Sequence, residues 1–162
     1  MMKHLLRSGL LAVALFPLVV AAQSPTLYNV AWDGPSPSSA GSMPIGNGDI
    51  GLNVWVEPSG DILFYISKTD AWNAWSTEGD LVKVARVRIR RAPALAADTV
   101  RQELSLADGS IRITGKCGPA DAAVRVWVDA NRPVVWVESL SATPFGISAA
   151  IELWRSGEQC AL

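Results

Sequence analysis

Two short stretches carry the residue types that could do chemistry. "GNGDIG", Gly46 to Gly51, sets its glycines at G-x-G-x-x-G, and "SKTDAWNAW" follows about twenty residues later. Between them they hold Asn47, Asp49, Lys68, Asp70, Trp72, Asn73 and Trp75. Amides and carboxylates hydrogen-bond hydroxyl groups, and an indole stacks on the apolar face of a sugar ring. A few placed polar groups beside aromatics suit a small polar ligand. The bland alternative is local: glycines at the start of a strand serve tight turns, and Asn, Asp and Thr in loops bond the nearby backbone.

The glycine spacing is also that of a dinucleotide-binding loop, which requires a strand before the glycines and a helix after them. Here a Pro/Ser/Gly-rich coil, "AWDGPSPSSAGSMPI", comes before, and a period-two apolar pattern comes after. There is no G-K-[S/T] ending either, so the dinucleotide reading fails.

The elements that must position these residues are strands. In "IGLNVWVEPSGDILFYIS", Ile50, Leu52, Val54 and Val56 share one face, and Ile62, Phe64 and Ile66 share it again after the Pro58-Ser59-Gly60 turn. With Glu57 opposite Asp61, Val56 meets Ile62, Val54 meets Phe64 and Leu52 meets Ile66, so pattern and turn agree on one register. Extended backwards, that register brings Gly48 and Asp49 beside Thr69 and Asp70. Further alternation predicts a strand over "ARVRIRR" and a hairpin on Asp108-Gly109, with Leu106 facing Ile111 and Leu104 facing Ile113. Another hairpin around Asn131-Arg132 sets Trp127 against Trp136 and Arg125 against Glu138, and "GISAAIELWR" is a last strand. About eight strands and no amphipathic helix predict an all-β, antiparallel β-sandwich of the super-sandwich type.

The chain has 162 residues, 49% of them hydrophobic, and a net charge of −1, which gives no basis for tracking nucleic acid. Residues 1–22 have a positive start (Lys3, Arg7), an apolar run too short to span a membrane and small residues Val20 and Ala22 before the expected cut. They read as a cleaved signal peptide, which places the protein in the periplasm or outside the cell, with no membrane attachment after cleavage. Residues 23–45 read as an irregular arm and residues 46–162 as the sandwich domain, incomplete at its C-terminus.

The only histidine, His4, lies in the leader, and there is no C-x-x-C, so neither a zinc site nor histidine catalysis is expected. Asp49 and Asp70 with nearby carbonyls offer too few ligands for calcium. No metal and no cofactor is expected. Cys117 and Cys160 are either bridged or both free. Arg86, Arg88, Arg90 and Arg91 form a stripe that reads as the solvated face of a strand, the alternative being a site for an anionic polysaccharide. Trp55 shares a face with Asn53 and Tyr65 and needs a cover, from the second sheet or from a further domain.

"MPIGNGDIGLNVWVE" resembles the opening of the N-terminal β-domain of family 95 glycoside hydrolases, the α-L-fucosidase type, where P-I-G-N-G-x-[I/L]-G enters the first hairpin. "YISKTDAWN" stands in the place of that family's N-E-D-T-x-W, keeping the Asp70-x-Trp72 ending but replacing Asn-Glu with Ser67-Lys68. From Tyr28 to about Leu106 the chain is closer still to a bacterial N-terminal domain of unknown function, number 5703. The resemblance implies a sandwich that packs on an (α/α)6 barrel carrying the catalytic residues, with the sandwich lending loops to the pocket. It therefore implies a chain that ends before the barrel and has no catalytic residue of its own, the non-catalytic front of an exported glycoside-hydrolase-like protein. Its ligand would be carbohydrate, lined by Asn47, Asp49, Lys68, Asp70 and Trp72. The alternative is a free-standing carbohydrate-binding or structural module with no enzymatic partner.

Overall fold

The computed structural model describes residues 24–73 and 79–153. Within them lie ten strands: β1 (Val30–Asp33), β2 (Met43–Gly46), β3 (Ile50–Val56), β4 (Ile62–Trp72), β5 (Leu81–Ala92), β6 (Arg101–Ser105), β7 (Ser110–Cys117), β8 (Ala120–Val128), β9 (Val135–Ser141) and β10 (Gly146–Glu152). They form two five-stranded antiparallel sheets, ordered β1-β6-β7-β8-β9 and β10-β5-β4-β3-β2. Three single 3-10 turns are the only helical pieces among the described residues. Trp75, Cys160 and the leader expected at residues 1–22 lie outside them.

Alternation builds the core. Leu52, Val54, Val56, Ile62, Phe64 and Ile89 of the second sheet meet Ile111, Ile113, Val124 and Val126 of the first in one buried cluster. At about 25 cal/mol per Å² of apolar area, this two-sided burial is the main force holding the sheets together. The β3–β4 hairpin has the expected register, Val56 with Ile62, Val54 with Phe64 and Leu52 with Ile66. So has β8–β9, where Trp127 faces Trp136 and Arg125 faces Glu138; the two indoles stack at 6.0 Å with planes 14° apart.

Three features differ from the sequence reading. First, the stretch 23–45 is not wholly irregular, since β1 pairs with β6 and β2 with β3. Each is a four-residue margin strand, too short for a period to show among Pro, Ser and Gly. Second, the β6–β7 turn spans four residues, not two, because Leu104 faces Ile111 and Ser105 faces Ser110. Asp108 is drawn away from a two-residue turn: its carboxylate accepts from Ser110 Oγ at 2.8 Å and from Arg125 at 2.9 Å. The shift is an even number of residues, so every side chain keeps its face. Third, neither the opposing sheet nor a further domain is needed to cover Trp55. It is 1% exposed, with the Tyr65 ring 5.2 Å away and the Ser39–Gly41 turn packed on its strand.

Candidate functional site

β4 and β5, of eleven and twelve residues, run past the sandwich, and β4 goes from buried at Ile62–Phe64 to exposed at Thr69 and Asp70. The polar motifs meet on this overhang. Ile50 pairs with Lys68, and the Thr69 amide donates to the Asp49 carbonyl at 3.0 Å, which carries the ladder one pair further. The result is an open cavity of about 280 Å³, bordered by Gly46, Gly48, Asp49, Lys68, Thr69 and Leu81 among others.

Lys68 is the electrostatic centre. Its Nζ donates to Asp70 Oδ2 at 2.7 Å and lies 3.2 Å from Asp49 Oδ1, which also accepts from Thr69 Oγ1 at 3.1 Å. The Asp70 and Asp49 carboxylates raise the Lys68 pKa by hydrogen bonding, and the same ammonium holds the Asp70 carboxyl below the usual range. All three side chains stay partly or largely exposed, so a hydroxylated ligand can reach acceptors and a donor without disturbing the core.

The glycines are explained by the backbone. A Cβ on Gly46 would stand 2.6 Å from the Ile50 carbonyl oxygen, and Gly48 has φ +93. At Gly51 nothing stands within 4 Å of that position, and its open side borders the cavity.

The other sequence-derived site residues sort differently. Asn47 spends its side chain on backbone: Oδ1 accepts from the amides of Asp49 (2.9 Å) and Ile50 (2.8 Å), and Nδ2 donates to the carbonyls of Asp129 (2.8 Å) and Arg132 (3.3 Å). It ties the β2–β3 turn to the β8–β9 loop of the other sheet and positions the cleft rather than facing into it. Asp70 reaches the cleft through Lys68. Trp72 is 56% exposed beside Leu81 and is not among the cavity-lining residues. Asp49, Lys68 and Asp70 are thus brought together, with Asn47 behind them and Trp72 to one side.

Two features escaped the sequence reading. A larger open cavity of about 670 Å³ lies against β7, β8 and β9, between Thr114, Lys116, Asp121, Ala123 and Leu140. Its signal is the run of small residues brought into register, Gly115 with Ala122 and Thr114 with Ala123. The arginine stripe is also not simply solvated. Arg88, 13% exposed, binds Glu57 (2.6 Å), Asp61 (2.9 Å) and Glu152 (2.6 Å), while Arg86 binds Glu152 and Arg90 reaches Asp61 at 3.3 Å. These guanidinium groups are engaged by three carboxylates from the β3–β4 turn and β10, which leaves little for a polyanion. Arg91, on the opposite face of β5, is buried against the Phe145 ring at 4.3 Å. No group of His, Cys, Asp and Glu among the described residues could hold a metal ion.

Two antiparallel sheets closed over one core, with an open cleft at the overhang of a long hairpin, define a β-sandwich domain. The family described as Domain of unknown function (DUF5703), in its N-terminal model, matches residues 31–161, and the chain belongs to that family. No curated protein matches it.

Proposed function

We infer that this domain is the non-catalytic β-sandwich of an exported glycoside-hydrolase-like protein, and that its β3–β4 cleft contacts carbohydrate. One observation carries the reading: a lysine held between two carboxylates with a threonine hydroxyl alongside, in an open cavity, with an exposed indole nearby. Sugar hydroxyls are both donors and acceptors, and such a mixed, pre-ordered set answers both. The P-I-G-N-G-x-I-G motif that forms the cleft's turn supports the link to glycoside hydrolases. The leader-like residues 1–22 support export to the periplasm or beyond, and an (α/α)6 barrel is the partner this reading assigns to the full-length protein.

Glycoside hydrolysis needs two carboxyl groups astride the bond, one kept protonated by a raised pKa. The acids here are Asp49, which lines the cleft, and Asp70 beside it; both are bound to Lys68, and the Asp70 pKa is pushed the opposite way. This supports a binding role. The test is to titrate neutral oligosaccharides into the purified protein and to assay it against chromogenic aryl glycosides. Saturable binding with no release of the aryl group is expected, and turnover at a rate above the protein-free control would overturn the non-catalytic assignment.

A further inference from the structure

Among the four margins of the two sheets, β10 is the one whose core-face side chains are exposed throughout. β1 is four residues long and ends in Asp33, β2 is four residues long and carries Pro44, and β9 carries Glu138. Short strands, proline and charge are the devices that stop a free edge from pairing. β10, "GISAAIE", matches β9 in having seven residues, no proline and one charge, but its charge, Glu152, is already engaged by Arg86 and Arg88. Its register with β5 sets Ile147, Ala149 and Ile151 on the face of Val87 and Ile89, the core face, yet the first sheet does not cover them. Ile147 is 51% exposed and Ile151 71%, with Leu153 beyond them at 75%.

On the Ile147, Ala149 and Ile151 face the apolar pattern of this edge reads the same in both directions about Ala149, while Ser148 stands opposite Ala150 on the other face. In an antiparallel pairing with a second β10 centred there, Ile147 meets Ile151 of the other copy, Ala149 meets itself and Gly146 meets Glu152. A two-fold axis normal to the sheet keeps all four isoleucines on one face, and isologous contacts of this kind close as dimers. The two Glu152 side chains fall at opposite ends of the strand pair, about 20 Å apart at ~3.4 Å per residue, so no like charges oppose. We propose that β10 is the self-association edge of this protein, joining two copies into one continuous ten-stranded sheet through Ile147, Ala149 and Ile151.

Sedimentation equilibrium over micromolar to sub-millimolar concentrations reads this out. The purified protein is expected to form a dimer that Ile151→Lys weakens about tenfold or more, while Ile151→Val retains it. Ile151 is exposed, so the circular dichroism of the lysine variant is expected to match that of the parent; if it does not, Ala149→Cys decides. Directly opposed Cβ atoms are ~4.5–5.5 Å apart, so a 149–149 disulfide forms under mild oxidation and is mapped by mass spectrometry, while Ile147→Cys alone does not link. A monomer throughout, a dimer indifferent to Ile151→Lys in a folded variant, or linkage equal at positions 147 and 149 would overturn the proposal.

Discussion

At the scale of single residues, the cleft depends on Asn47 more than on any group that faces a ligand. Four hydrogen bonds to backbone, two into its own turn and two across to the β8–β9 loop, leave no part of its amide for solvent or sugar. Removing a partner from buried or half-buried backbone groups costs ~1–3 kcal/mol, and Asn47→Ala is expected to lower unfolding stability by about that much in urea titrations. Asp129 makes the complementary anchor. Arg132 first, then the Asn131 amide, hold its carboxyl at about 2, and Trp136 Nε1 adds a weaker contact at 3.4 Å. An unfolded aspartate titrates near ~3.9, so the folded form keeps its charge to lower pH. The stabilisation is complete above that value and is lost as pH falls towards 2. A carboxyl NMR titration should place Asp129 well below a normal aspartate, and Asp129→Asn should flatten the loss of stability between about pH 4 and 2. The sequence shows that Asn47 and Asp49 sit at a turn; it does not show Asn47's partners, because Asp129 and Arg132 lie more than eighty residues away.

At the scale of elements, what was legible was what alternation and cross-strand pairing encode. β3–β4 and β8–β9 have the registers their apolar patterns dictate, because a slip of one residue would turn every buried side chain to water. β6–β7 was misread by two residues, since a slip of that size costs no burial and the choice fell to Asp108's side-chain bonds. The arginines of β5 have a legible face but illegible partners, which come from the β3–β4 turn and from β10. Arg88→Met removes a guanidinium shared by three carboxylates and is expected to cost about 1–3 kcal/mol. Arg90, 58% exposed with one contact, should cost under about 1 kcal/mol in the same chemical denaturation series. The β3–β4 turn is held equally tightly. Gly60 has φ +83, and a Cβ there would stand 2.3 Å from the Leu95 carbonyl oxygen. Gly60→Ala combines backbone strain with a clash against backbone, and a loss of more than about 1 kcal/mol, with a lower thermal midpoint, is expected.

At the scale of the whole molecule, two sheets share one core while the long β4 and β5 extend beyond it, which separates the work of stability from the recognition proposed for the cleft. The core cluster fixes the hairpin, the hairpin fixes the backbone of Asp49 and Thr69, and the side chains that can meet a ligand stand on the overhang. The account is tested most directly by isothermal titration calorimetry of neutral oligosaccharides into the protein and into its Asp49→Ala and Lys68→Ala variants, with folding of each checked by circular dichroism. Charge-assisted hydrogen bonds contribute ~1.5–3 kcal/mol, so each variant is expected to bind about tenfold or more weakly with an unchanged fold. Affinity equal to the parent in both folded variants, or no oligosaccharide bound by the parent, would contradict it.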